Sequence, residues 1–91
     1  MVTTKHILVA LVEDKPGVLN RMANVFRRRG FNIESVNVIE TIGGESSGSH
    51  RLTRVAIVAA GSANMLGLVK KQLEKIVDVV RVSDITTKDT V

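Results

Sequence analysis

Apolar and polar residues follow one another along this chain with a period that switches between that of a strand and that of a helix. His6 to Val12 (HILVALV) is a continuous apolar run rich in branched side chains, too short for a helix and suited to a strand covered on both faces. From Pro16 to Arg29, Leu19, Met22, Val25 and Phe26 recur at three- and four-residue spacing with the arginines mostly elsewhere, which predicts an amphipathic helix. Pro16 suits its first turn, where a missing N–H is no loss, and Gly30 supplies a left-handed residue to end it. Asn32 to Thr41 (NIESVNVIET) alternates imperfectly, with Val36, Val38 and Ile39 as its apolar weight, and predicts a second strand. Gly43 to Ser49 (GGESSGS) then predicts a flexible hairpin loop.

Leu52 to Ala60 (LTRVAIVAA) predicts a third strand, after which Gly61 and Ser62 can cap a helix. That helix, Ala63 to Ile76, carries Leu66, Val69, Leu73 and Ile76 on one stripe, with Lys70, Lys71 and Glu74 facing away. Val77 to Ile85 (VDVVRVSDI) predicts the last strand, followed by a polar tail expected to fray. The order βαββαβ implies an α+β, ferredoxin-like sandwich with two helices on one face of a four-stranded antiparallel sheet. One domain over residues 1–91 is expected, with its core at about 5–86.

Two helices cover only one face of such a sheet. In the first strand Ile7, Val9 and Leu11 alternate with Leu8, Ala10 and Val12, so the face turned away from the helices is apolar too. An open apolar face marks an interface. A chain of 91 residues buries only roughly 60 to 65% of its unfolded surface, so a partner surface would add to a marginal core, and a homodimer is expected.

Composition narrows the classes. There is no Cys, Trp or Tyr, and there are two Phe. Disulfides and thiolate chemistry are excluded, nothing points to an oxidising compartment, and a cytoplasmic location is expected. No run approaches the roughly 20 apolar residues of a membrane helix, so no membrane partner is expected. The net charge of +4 raises the question of nucleic acid. However, Arg21, Arg27, Arg28 and Arg29 lie along one helix and Lys70, Lys71 and Lys75 along the other, where long cations form solvated faces. The sheet lacks the aromatic platforms that stack bases, so no nucleic-acid partner is expected.

Catalytic and metal constellations are thin. His6 and His50 are the only imidazoles and have no metal-ligand spacing, and Glu13 and Asp14 are neighbours that point opposite ways on an extended segment. Phosphate chemistry in the first strand-to-helix loop would favour an arginine, and Lys15 stands there instead. The loop does suit anion recognition. Amides after Pro16 open a helix whose positive dipole end can hold a carboxylate, and Gly17 leaves the approach clear. Asp14 could take an ammonium, Asn32 offers a donor and an acceptor, and Val18, Leu19 and Ile33 could form an apolar rim. These are the parts of a site for an aliphatic α-amino acid. The same residues suit a plain capped helix equally well, with Asp14 as a turn residue, Gly17 as a packing position and Asn32 capping a strand.

EDKPGVL followed by an amphipathic helix resembles the ACT domain, a small ligand-binding module attached to enzymes of amino-acid metabolism. Within that group RRRGFNIESVNV and QLEKIVDVVRVSDI closely resemble the small, regulatory subunits of acetohydroxyacid (acetolactate) synthase, and the likeness runs from Ile7 to Ile85. It implies a homodimer joined side by side into one continuous sheet, with valine or a related branched-chain amino acid at the interface. The ligand-binding positions it implies are Asp14, Lys15, Pro16, Gly17, Val18 and Leu19, with Asn32 and Ile33 from the neighbouring protomer. It also implies a chain without catalytic residues or cofactors of its own. The partner would be a catalytic synthase subunit carrying thiamine diphosphate, FAD and magnesium, activated by this chain and inhibited again when the end product binds. An ACT-type sensor for another metabolic enzyme or a transcription regulator is the alternative.

Overall fold

The computed structural model describes residues 4–43 and 51–86. Its elements are β1 (Thr4–Glu13), α1 (Val18–Arg28), β2 (Asn32–Ile42), β3 (Leu52–Gly61), α2 (Ala63–Glu74) and β4 (Val79–Asp84). The strands form one antiparallel sheet in the order β2-β3-β1-β4, the ferredoxin-like arrangement expected from the sequence. The expected loop from residue 43 to 49 lies, beyond Gly43, outside the described residues, as does the tail from residue 87 onward.

β1 is longer at both ends than its apolar run. It is a central strand, paired with β3 from Thr4–Gly61 to Glu13–Leu52, and the ladder extends over polar residues that hydrophobicity alone does not claim. β2 explains its own imperfect alternation. Its register against β3 shifts between Ile33 and Ser35 and again between Val38 and Glu40, and each bulge inserts a residue that breaks the two-residue period.

α1 begins at Val18, two residues after the Pro16 expected in its first turn. Gly17 holds the cap with φ 86°, so Pro16 belongs to the turn before the helix. The later start also moves the apolar stripe. Val18, Met22, Val25 and Phe26 are buried, while Leu19, expected among them, is exposed. Gly30, with φ 80°, follows the helix as expected, and the Phe31 amide reaches back to the Phe26 carbonyl at 2.9 Å. α2 ends at Glu74 rather than Ile76. Its last turn tightens, with the Lys75 and Ile76 amides bonded to the carbonyls of Gln72 and Leu73 at 3.2 and 3.1 Å. β4 then starts at Val79 rather than Val77, because Asp78 turns inward and is buried.

The core lies between the helices and one face of the sheet. Leu8, Ala10 and Val12 of β1 and Val55, Ile57 and Ala59 of β3 meet Phe26 and Met22 of α1 and Val69 and Leu73 of α2. Leu66 and Ile76 of the expected α2 stripe pack against this cluster while partly exposed. The rings of Phe26 and Phe31 meet edge to face at 6.1 Å, and His6 tilts onto Phe31 at 5.9 Å. Removing the fully buried Phe26 side chain would cost about 3–5 kcal/mol. Gly61 is fixed by the same cluster. A Cβ there would lie 2.5 Å from Cδ2 of Phe31, so this glycine ends β3 where its backbone passes under the ring. On the other face Ile7, Val9 and Leu11 stay partly exposed beside Val58 and Ala56, which makes that face apolar as the sequence implies.

Candidate functional site

The turn between β1 and α1 is held from three sides. The Asp14 amide donates to the Arg51 carbonyl at 2.9 Å, the Lys15 amide to the Glu13 carbonyl at 2.9 Å, and the Glu13 amide to the Asp78 carbonyl at 2.8 Å. At the helix start the Val18 amide reaches the Lys15 carbonyl at 3.4 Å, while those of Gly17, Leu19 and Asn20 have no partner among the described residues. A left-handed Gly17 brings these donors to the surface together. Its missing Cβ would meet only Arg21 Nη1, at 4.0 Å, so the positive φ rather than crowding selects glycine.

Beside this turn lies an open cleft of about 230 Å³, lined by Glu13, Asp14, Lys15, Val18 and Leu19 and walled by Val38, Thr41, Thr53, Val12 and Val55. Its volume is below the roughly 300 Å³ at which drug-sized pockets begin, and it suits one small ligand. Asp14 is exposed and stands 3.8 Å from Arg51 Nε, a loose pair that leaves its carboxylate open to a cation. Lys15 is engaged elsewhere. Its Nζ lies 3.1 Å from Glu13 and 3.5 Å from Asp78, and bonding to Glu13 followed by the field of both carboxylates raises its pKa above the ordinary value. Asp78 also accepts from Arg21, so one buried carboxylate ties the turn to α1 and to the entry of β4.

Of the positions implied at sequence level, Asp14, Lys15, Val18 and Leu19 line the cleft. Pro16 and Gly17 shape the turn beside it, and Val18 is a floor residue buried in the core rather than a free rim. Asn32 and Ile33 are at the opposite end of the sheet. Asn32 pairs with Ala60, which pairs with Lys5, nine residues before Asp14, a separation of about 30 Å along the strand. A single chain does not bring the two groups together. Val38, Thr41, Thr53, Val55 and Asp78 escaped the sequence-level reading. The first four come beside the turn only through the strand order that sets β2 and β3 next to β1, but Asp78 carried a signal, an acid inside the apolar run IVDVV.

At the far end a second cavity of about 410 Å³ is lined by Thr4, Lys5, His6, Ala63, Leu66, Asp84 and Thr86. His6 is buried there, with Nε2 2.8 Å from Thr4 Oγ1. Burial alone would raise the Asp84 pKa, but hydrogen bonding from Thr86 outweighs it and holds the carboxyl below its ordinary value. Among the described residues no cluster of His, Asp and Glu could hold a metal ion, and no helix is long and apolar enough to cross a membrane.

Residues 8–81 match the model of the AHAS small subunit-like ACT domain. The chain is 48% identical over 86 residues to the probable acetolactate synthase small subunit of Methanothermobacter thermautotrophicus, covering 94% of this chain and 48% of that one. It is 38% identical over 81 residues to the small subunit of acetolactate synthase isozyme 3 of Escherichia coli, covering 89% and 46%. Among solved structures it resembles the acetolactate synthase small subunit of Thermotoga maritima, with TM-score 0.66, 37% identity and coverage of 89% and 47%. The ACT domain of the GTP pyrophosphokinase of Chlorobium tepidum shares the fold at 17% identity, with TM-score 0.64 and coverage of 92% and 100%. The chain spans about half the length of the acetolactate synthase small subunits it matches.

Proposed function

Because this chain belongs to the family of ACT domains of acetohydroxyacid (acetolactate) synthase small subunits, we propose that it binds a branched-chain amino acid between two copies of itself and regulates a catalytic synthase subunit. The observation that carries this reading is the separation of the two halves of the site. Free helix amides and the open Asp14 carboxylate stand at one end of the sheet, and Asn32 and Ile33 at the other. β2 is an edge strand with Val36, Val38, Ile39 and Ile42 exposed along it. Antiparallel pairing of this edge with the same edge of a second copy runs the sheet on through both chains. It also brings the Asn32 end of each β2 alongside the Ile42 end of the other, next to the cleft.

In the completed site the amides of Gly17, Leu19 and Asn20 take the ligand carboxylate, helped by the positive end of α1. Asp14 takes the ammonium, Asn32 of the second copy adds a donor and an acceptor, and Leu19 and Val38 contact the branched side chain. Valine is the ligand proposed. One methylene in such a pocket changes affinity by only about 1 to 3 kcal/mol, so leucine and isoleucine are its direct competitors. The chemistry, with thiamine diphosphate, FAD and magnesium, belongs to the catalytic partner. This chain raises that partner's turnover and valine lowers it again. Coupling of this kind amounts to about 1 to 3 kcal/mol and is reciprocal in binding, so the partner changes valine affinity by the same factor.

Titration calorimetry with valine, leucine and isoleucine tests the reading. Wild-type protein should give saturable heat, and Asn32→Ala should weaken binding by about tenfold, roughly the loss of one charge-linked hydrogen bond, while sedimentation still reports a dimer. No heat from any of the three would end it.

A further inference from the structure

β4 is the second edge of the sheet, unpaired among the described residues, and the segment leading into it is apolar and exposed among them. Val77 is 90% exposed and Val80 is 54% exposed. Val80 occupies the register shift between the Leu11–Arg81 and Val12–Val79 pairs, where a bulge turns a side chain out of the ladder. Val77 stands between Ile76, which packs against the core, and the buried Asp78. Two cations bracket these valines in the sequence, Arg81 lying beside Leu11 on the open face of the sheet. Lys75 and Arg81 are exposed and form no ion pair among the described residues. The acids nearby are already engaged, Glu74 by Lys70 at 3.3 Å and Asp78 by Arg21 and Lys15.

We propose that the segment from Lys75 to Arg81 is a docking surface for a different protein chain whose contact face is apolar at its centre and acidic at its rim. The uncompensated charge selects the occupant. A second copy docked symmetrically would set Lys75 and Arg81 against themselves, and facing like charges suppress that pairing. An acidic rim neutralises both cations while the valines lose their exposed surface. The position also links the surface to the cleft, because Asp78, between the two valines, holds Arg21 of α1 and Lys15 of the turn. This inference rests on the regulatory reading above, and the catalytic synthase subunit from the same source is the partner to test.

The test measures binding of that catalytic subunit to the wild-type protein, to Val77→Ser/Val80→Ser and to Lys75→Glu/Arg81→Glu. Valine calorimetry and sedimentation report on folding and self-association. Both double variants should bind the subunit at least about tenfold more weakly. The charge variant should also lose the salt dependence of the wild type, while valine heat and self-association stay unchanged. Wild-type affinity in both variants overturns this inference and leaves the regulatory reading standing. Weakening in the serine variant alone overturns the acidic rim, and a change of self-association in either variant overturns the choice of an unlike partner. A wild-type protein that does not bind the subunit overturns the inference and the regulatory reading together.

Discussion

Among the described residues the two edges of this sheet are both unpaired and both apolar, yet their charges are handled in opposite ways. Along β2 the acids are matched within the chain. Glu34 lies 3.3 Å from Lys5, and Glu40 lies 2.9 Å from Arg54, so exposed Val36, Val38 and Ile39 sit in a locally neutral strip. Along β4 the cations Lys75 and Arg81 have no such match among the described residues. A neutral edge can meet its own copy without repulsion, whereas a charged one needs a partner of opposite sign. Length points the same way. β2, though bulged twice, offers eleven residues to an antiparallel twin, while β4 offers six. On this reading charge compensation, more than exposed apolar area, is what would separate a self-pairing edge from one that serves an unlike chain.

The strongest way to break this contrast is to charge the neutral edge. Val38→Asp places a carboxylate where two copies of β2 would meet, and leaving it uncompensated there costs about 3 kcal/mol or more. Sedimentation equilibrium should show the dimer dissociating more than about a hundredfold more readily. Valine heat should vanish with it, because Asn32 no longer reaches the cleft and the Val38 wall of the cleft is itself replaced by a carboxylate. An intact dimer would place self-association on another surface.

A smaller effect is expected from Asp78→Ala, at the root of the β4 edge. Its carboxylate is buried but its partners Arg21 and Lys15 are about half exposed, so solvent screening discounts the loss. About 1–2 kcal/mol of stability should go, a fall of about 5–10 °C in Tm by calorimetry. Valine affinity should drop severalfold as the turn loosens. Asp78→Asn, which keeps the shape and removes the charge, should do the same if charge is the cause. Normal valine affinity in both variants would cut the link between the β4 edge and the cleft.

Element order, sheet class and the two-sided apolar character of β1 were legible in the chain because each follows from local period. The turn was legible as the opening of α1 because Pro16, Gly17 and a helix start stand together. What escaped depends on tertiary position. The bulges in β2 were visible only as faulty alternation, and the later start of α1 follows from the left-handed Gly17, which moved Val18 inward and Leu19 outward. Strand order decided which valines stay open, and no local pattern in NIESVNVIET says that it forms an edge. Asp78 required knowing that Arg21 and Lys15 would be near it, a contact across 57 positions in the case of Arg21.

Gly17→Ala gives a smaller change, confined to the cleft between the edges. Space is open for the added methyl, but φ 86° is a left-handed backbone that costs an L-residue about 1 kcal/mol. Denaturation should show that loss with the dimer intact. Valine should bind severalfold more weakly, since relief of the strain turns the free amides away from the cleft. Unchanged affinity would mean that the ligand carboxylate lies elsewhere.

The finest test uses pH at Lys15, the side chain that joins β1 to the root of β4. Glu13 and Asp78 favour its charged form, so its pKa in the folded chain lies above the ordinary 10.5. A folded pKa raised above the unfolded one means that the contribution is complete below the unfolded value and disappears as pH climbs through the folded one. The Tm difference between wild type and Lys15→Gln should therefore stay constant from neutral pH to about 10 and shrink above it, as the wild-type ammonium loses its proton. The change should be small, because the ammonium is exposed and screened. A difference that did not shrink above about pH 10 would assign the stabilisation to something other than the Lys15 ammonium, and the turn would then be held to β4 by Arg21 and the Glu13 amide.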